Sequence, residues 1–588
     1  MMNNSIGLKN FRKFADFPEI DLGDITILVG SNNSGKSTLV KALLLCIDNL
    51  KLMTMDDVFS NQDNYFEFDT PKFRFDANDF HDVKVKTFDR AIHNIFLEEY
   101  DEALGKTVNR LPTTITFKFK SMNFSFEIEV TGERRQYRPT GDVVSISITD
   151  YNEGTRFYTN YMNRTMSYEV LNDVENEQVA LLDKLYEEYN KITAYIEKAN
   201  VEGQLDMISD AIQQRDKIIS QVNSLFDREE DDKEFSWSEV MKMYNRLQTS
   251  KRPVKVAYEM PLDYTYNNEP VVLNMISTII NFATVKMTND QDKSKEDSET
   301  YVAPMKLDRK VDFNKNESDD LISFAFEDKH MDLMEQYRQA IALDIDSIRK
   351  TKERLKIFLN SIRAEYISVH AAHQNTIYNV NDRNDYLAQT IHEFCRERIQ
   401  PGEDEYEFIR TWMKKFGIGS DFSIKAIEAE VYLLFIKDDE YAGLQHLADK
   451  GMGAIQIMVL LLKLATIMHR DQTRSSSLII IEEPEQNLHP KYQSILADLF
   501  EDAANNHSCN FVIETHSEYL VRKTQVLVAE SKYKDEQDLW VNNPFKVYYL
   551  PEDGSERFEM RYKTTGRFAN KFHTGFFDTA SELAFDLF

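Results

Sequence analysis

Hydrophobic positions change their period several times along this chain, and each change predicts a different kind of element. Over residues 6–49 the pattern reads as strand, loop and helix. Ile25-Thr-Ile-Leu-Val29 is a continuous apolar run of strand length, and the apolar stretch from Leu39 to Cys46 opens a helix. Asn10-Phe-Arg-Lys-Phe14 predicts the turn of a hairpin ahead of that strand. Between about Val83 and Val170 period two dominates. Phe124, Phe126, Ile128 and Val130 fall on one strand face, and Val144, Ile146 and Ile148 on another, so an antiparallel β region is expected. Helical spacing follows. Leu182, Leu185, Tyr189, Ile192 and Ile196 recur every three or four residues; after a break near Gly203 the rhythm resumes from Leu205 to Phe226. Two short arms of a helical hairpin are the simplest reading, as packed amphipathic helices or as a partner-docking arm. Acidic stretches 288–300 and 306–320 read as exposed connections. A helix over about 331–363, a strand over 364–369 and a strand pair over 424–436 complete the series, with no internal repeat.

A chain of 588 residues is too long for one compact core, so two or three domains are expected. The net charge of −29, with a sequence pI near 4.9, argues against a surface that binds nucleic acid through bulk charge. It leaves room for a local basic groove or for a basic partner. Cys46, Cys395 and Cys509 lie far apart without ligand spacing and read as buried thiols in a reducing compartment. No signal peptide is evident, and the most apolar run, 455–468, is shorter than a membrane span and contains Lys463. A cytoplasmic protein without membrane attachment is expected.

The candidate chemistry starts at Gly30-Ser-Asn-Asn-Ser-Gly-Lys-Ser37, followed by Thr38. It has the phosphate-loop pattern of Gly, four residues, then Gly-Lys-Ser, and it lies between a buried strand and an apolar helix, the context the motif requires. Backbone N–H groups of Gly30 to Thr38, including Asn32, Asn33, Ser34 and Gly35, would wrap phosphates at a helix N-terminus. Lys36 would reach the β- and γ-phosphates of ATP, and the Ser37 hydroxyl would ligate Mg²⁺. Far downstream, Leu478-Ile-Ile-Ile481 runs into Glu482 and Glu483. A buried strand there would deliver carboxylates at the ligand-binding edge of a parallel sheet. Glu482 would serve Mg²⁺ and Glu483 would be the general base on water. Phe511-Val-Ile513 predicts another buried strand, ending near His516, which can contact the γ-phosphate or the attacking water. Gly451 and Gly453, opening the helix that reaches Met468, make a further anion site suited to a phosphate presented by another subunit.

The expected fold is therefore α/β, a P-loop ATPase head split by a large β and helical insertion. Residues 1–170 would hold its N-terminal half with the antiparallel β region, 171–365 a helical arm with acidic loops, and 366–588 the C-terminal half. In this order the motifs resemble the ABC-type ATPase heads of the SMC, RecF and OLD group. Ile6-Gly-Leu-Lys-Asn-Phe-Arg-Lys-Phe14, Glu482-Glu-Pro-Glu-Gln-Asn-Leu-His-Pro490, Glu514-Thr-His-Ser-Glu-Tyr-Leu520, Gly566-Arg-Phe568 and Gly575-Phe-Phe-Asp578 are similar to a prokaryotic branch that includes the ATPase subunits of Septu-type anti-phage defence systems. The resemblance implies a homodimer, or higher homo-oligomer, with ATP and Mg²⁺ sandwiched between heads. It makes His516 the switch histidine and Gly451 and Gly453 the signature loop that faces the ATP of the opposite subunit. It also places the Asn10–Phe14 turn, with Arg12, near the nucleotide. Three departures stand out. The signature lacks its usual serine, with Lys450 as the substitute phosphate contact. Gln374 and Gln136 are weak candidates for the glutamine loop. Ser368-Val-His-Ala-Ala-His-Gln374 lacks the arginine that relatives carry.

The OLD nucleases carry a nuclease domain after the head. Fewer than about 75 residues follow His516 here, short for such a domain. His370 and His373 have no evident third ligand and read as structural. Any DNA cleavage is therefore expected from a separate effector, a nuclease of the same operon. A RecF-like ATPase acting directly on DNA is the alternative. Its candidate basic residues, Arg134, Arg135 and Arg138 or Arg349, Lys352 and Arg354, are few. A structural protein that binds ATP with little turnover is the third reading.

Overall fold

The computed structural model describes residues 4–53, 70–76, 85–101, 106–121, 123–134, 137–171, 192–193, 256–261, 269–284, 338, 341–342, 344–368, 377–379, 381–382, 385–428, 430–438, 443–471, 477–530, 543–551, 558–563, 565–572 and 577. Nearly all of the expected helical hairpin, both acidic stretches, Gln136, Gln374, His370 and His373 lie outside these residues. The described chain forms two compact units: 1–146 with 264–277 and 352–588, and 147–263 with 278–351.

The first unit holds a parallel sheet built from both ends of the chain. Its elements are β1 (Ile25–Gly30), α1 (Lys36–Leu52), β2 (Arg363–Ile367), α2 (Met452–Asp471), β3 (Ser477–Glu482), α3 (Pro490–His507), β4 (Asn510–Glu514), α4 (Glu518–Glu530), β5 (Phe545–Leu550) and β6 (Phe558–Glu559). The strand order is β2-β3-β4-β1-β5-β6, parallel except for the antiparallel edge strand β6. Thus β1, from the start of the chain, sits between β4 and β5 from its end. The strands read as unbroken apolar runs because both faces are covered. Ile25, Ile27, Ile479, Ile481, Phe511 and Ile513 join a core shared with α2, α3 and α4. Leu28, Ile480 and Val512 alternate with them and are equally buried, while α1 packs against β1, β2 and β4.

Helix α2 is apolar on all sides for the same reason. It is long and apolar enough to cross a membrane, yet Ile455 to Met468 are buried in this core, against helices Tyr386–Glu397 and Asp404–Lys415. Its one mid-helix charge, Lys463, is buried between Glu365 at 3.1 Å and Glu393 at 2.8 Å. Those two carboxylates and the Tyr386 hydroxyl hold the ammonium charged against the cost of burial. Trp412 is fully buried and donates its indole N–H to Asp502 at 2.8 Å.

An antiparallel sheet accompanies this layer. Asn4–Phe11 and Phe14–Leu22 form the expected hairpin, closing at Phe11 opposite Phe14. Asn4–Phe11 also pairs with Thr114–Ser121, which pairs with Phe124–Thr131. Phe124, Phe126, Ile128 and Val130 are buried and alternate with half-buried polar residues. In Thr140–Asp150 the buried set begins at Gly141 and Val143 and changes phase after Ser145, so Val144 is only half-buried while Ile146 and Ile148 are buried. Strict alternation misassigns Val144 because it assumes one phase along the whole strand. The strand pair expected over 424–436 is Asp421–Ile427 with Val431–Lys437. Cys46 and Cys509 are buried free thiols and Cys395 is half-buried.

In the second unit, strands Thr155–Asn160, Thr165–Val170 and Val256–Pro261 form an antiparallel meander. Phe157 and Tyr168 pack with ring centroids 5.4 Å apart. Thr351, on the helix Ile345–Ser361, donates to Asp150 at 2.6 Å.

Candidate functional site

Register brings the predicted residues to one edge. Glu482 at the end of β3 pairs with Glu514 at the end of β4, and Glu514 pairs with Leu28 of β1 just before Gly30. The carboxyl ends of three parallel strands therefore converge where α1 begins, the place where open α/β sheets bind ligands.

The loop between β1 and α1 takes its shape from steric limits at two glycines. Gly35 has φ of 107°, in the left-handed half of backbone space, and a Cβ there would lie 2.4 Å from the Phe14 ring. A Cβ on Gly30 would lie 2.2 Å from the carbonyl oxygen of Leu550. Asn33 also has positive φ, 63°, and its carbonyl accepts from the Lys13 ammonium. Lys36 is buried, and its ammonium donates to the carbonyls of Gly30 and Ser31, each at 2.9 Å. Burial holds it below the usual lysine range despite the carboxylates of Glu514, Glu483 and Glu485.

On the acidic side, Ser37 donates to Glu514 Oε1 at 2.9 Å, and Lys36 lies 3.9 Å from the same oxygen. Burial, then the charge of Glu482, pushes the Glu514 carboxyl up to about 7; Lys36 and Ser37 oppose the rise. The Tyr366 hydroxyl donates to Glu482 Oε2 at 2.7 Å. Glu483 sits at φ 42° and donates its N–H to the Glu514 carbonyl at 2.7 Å. Its side chain is 37% exposed and lies 3.8 Å from His516 Nε2. Burial and then the Lys36 charge hold the His516 imidazole below its usual range, with Glu483 opposing. Glu485 is buried and accepts the His516 N–H at 2.7 Å. Ser517, just beyond, caps α4 by accepting the Leu520 N–H and donates its hydroxyl to Gln493 at 2.7 Å.

Four other expected residues lie at the entry to α2 and in the hairpin turn. Gly451 has φ of 87° and open space where a Cβ would point, whereas a Cβ on Gly453 would meet the Asn487 carbonyl at 2.8 Å. Both are at the start of α2, as the sequence suggests. Lys450 is held in a 2.6 Å ion pair with Asp438, so reaching a phosphate requires giving up that contact. Arg12 sits in the hairpin turn at φ 50°, with its N–H on the Ala91 carbonyl and its own carbonyl 2.7 Å from His93 Nδ1. Burial, then the charge of Arg90, lowers its pKa. From that turn Lys13 and Phe14 touch the phosphate loop.

Tyr366, Glu485 and Glu514 are residues at this edge that motif reading passes over, whereas Lys13 and Phe14 belong to the turn that the resemblance places near the nucleotide. Glu485 and Glu514 stand inside the quoted motifs, so their acidic character was a signal. Tyr366 gave none. We expect Tyr366→Phe to leave the fold intact and to weaken divalent-cation-dependent nucleotide binding by about 10–100-fold, as losing an outer-shell partner of a metal ligand does. Fluorescent-nucleotide titrations with and without Mg²⁺ measure it; equal affinities for variant and wild type would refute it.

This constellation offers a phosphate cradle with a buried ammonium and a hydroxyl and carboxylates from adjacent strands. Ser37 and Glu482 supply hard oxygen donors of the kind Mg²⁺ takes. The half-buried Glu483 side chain lies next to them, beside the His516 imidazole.

No curated protein matches the sequence. Among solved structures, an Smc head domain with an extended coiled coil bound to the C-terminal domain of ScpA, from Pyrococcus furiosus, is similar at 10% identity and a TM-score of 0.30, with 100% of each chain covered. An Smc head domain with a coiled coil and joint from Pyrococcus yayanosii is similar at 9% identity and the same TM-score, with 96% of this chain and 98% of that chain covered. At that TM-score these likenesses carry no structural argument. The model of the AAA ATPase domain matches residues 1–521, which span the phosphate loop, the acidic strand and His516. The chain belongs to the AAA ATPase domain family.

Proposed function

We propose that this ATPase is the nucleotide-gated regulatory subunit of a prokaryotic anti-phage defence complex, controlling a separate effector nuclease. The observation that carries the reading is the openness of the γ-phosphate side. The Glu483 and His516 side chains remain 37% and 33% exposed, and Gly451 faces open space, while Lys36 itself is buried. A half-built site of this kind suits completion by a second copy of the chain.

In this reading the Gly30–Thr38 loop and Lys36 hold the phosphates of ATP, and Ser37 and Glu482 would hold Mg²⁺, which when bound would supply charge neutralisation for phosphoryl transfer. Glu483 orients and deprotonates water, and His516 hydrogen-bonds at the γ-phosphate. The Gly451 and Gly453 loop, with Lys450 once released from Asp438, faces the ATP held by the second copy. The net charge of −29 suits a basic effector better than direct contact with a nucleic acid backbone.

The test is to purify the chain with the product of its neighbouring gene and follow DNA cleavage with ATP, with a non-hydrolysable analogue and without nucleotide. We expect cleavage by the partner to depend on nucleotide state. Salt-sensitive DNA binding by the chain alone, with no nucleotide-responsive partner, would instead favour an ATPase that acts on DNA itself.

A further inference from the structure

Glu514 is the acidic residue that the assigned roles leave unexplained. It is 5% exposed and stands between the phosphate loop and the acidic strand. A carboxylate is expensive to bury unless its oxygens are satisfied. Oε1 meets that condition, accepting from Ser37 at 2.9 Å with Lys36 at 3.9 Å. Oε2 is buried and has no hydrogen-bond partner among the described residues. Glu482 cannot supply one as a carboxylate, although it is the register partner on the next strand.

The Ser37 contact has a directional consequence. A hydroxyl has one proton and two lone pairs. With its proton committed to Glu514, Ser37 keeps both lone pairs for a cation. Mg²⁺ retains several of its waters when bound, and those waters need acceptors. A buried, unsatisfied carboxylate oxygen beside the Ser37 hydroxyl is such an acceptor.

We infer that Glu514 belongs to the divalent-cation site, orienting Ser37 with one carboxyl oxygen and presenting the other to the hydration shell of the cation. It is a positioning residue: it acts on the cation through Ser37 and through water. The inference rests on the nucleotide site and not on control of an effector, and the isolated chain reports it however the partner experiment falls.

The experiment measures Mn²⁺ affinity by electron paramagnetic resonance in the complex with a non-hydrolysable ATP analogue, for wild type, Glu514→Gln and Glu514→Asp. Analogue affinity in EDTA is measured alongside. We expect Glu514→Gln to weaken Mn²⁺ binding by about 10–100-fold. Metal-free analogue binding should be unchanged or tighter, since Lys36 loses a neighbouring negative charge. Glu514→Asp keeps the charge and should retain most of the Mn²⁺ affinity; it also serves if the glutamine variant does not fold. Unchanged Mn²⁺ affinity in the glutamine variant would overturn the inference. So would an equal loss of analogue binding with and without metal, or an aspartate variant as impaired as the glutamine, because each would reduce Glu514 to packing of the loop.

Discussion

Glu483→Gln lowers ATP turnover by about 10²–10⁴-fold, the range for removing a general base, while ATP binding persists. The amide is isosteric with the carboxylate and cannot take a proton from water. The backbone N–H bond to the Glu514 carbonyl, which holds residue 483 at φ 42°, is untouched by the change. Lys36 and Ser37 keep their partners, so nucleotide still enters. If two copies sandwich ATP, a variant that cannot hydrolyse it accumulates the associated form. Phosphate release and light scattering with and without ATP read both effects. A variant that turns over normally would place the base elsewhere. Tight ATP binding without turnover in the wild type would make the nucleotide structural and remove the role given to Glu483.

Gly35→Ala should be nearly as severe for binding, and for a different reason. The residue sits at φ 107°, where an L side chain costs about 1–2 kcal/mol, and the added Cβ would overlap the Phe14 ring, an overpacking cost of about 1–3 kcal/mol. Together these predict a loss of ATP affinity between about thirty-fold and several thousand-fold. The two terms are separable. Adding Phe14→Ala removes the overlap and leaves the backbone term, so the double variant should recover part of the affinity relative to Phe14→Ala alone. Calorimetric titration of the four proteins decides it. Full recovery would mean that the ring alone required glycine; no recovery would mean that the backbone alone did.

These predictions draw on residues of two kinds. The phosphate loop, Glu482, Glu483 and His516 were legible because each stands in a local context that names its chemistry: an apolar strand of four or five residues, then a polar turn, then a helix. The same logic located α2 at its glycine entry and expected a strand pair over 424–436, which forms over 421–437. It failed at Val144, where a change of phase within one strand moves the buried set by one residue. For Lys450 it supplied a charge but not its partner, since Asp438 is brought to it only by the chain's return.

What the sequence determined by itself is therefore the set of strands, loops and acidic ends from which a nucleotide site can be built, because backbone conformation and apolar periodicity are local properties. Only the tertiary structure decided which of them meet. Strand β1 inserts between β4 and β5 from the far end of the chain, which sets Glu482, Glu514 and Gly30 at one edge. The same assembly brings Tyr366 to Glu482, Phe14 to Gly35 and Ser37 to Glu514. Those contacts depend on sheet register and on tertiary packing, and residues 116 or 477 positions apart, as in the Tyr366–Glu482 and Ser37–Glu514 pairs, carry no mark in their own neighbourhoods of the partner they will find.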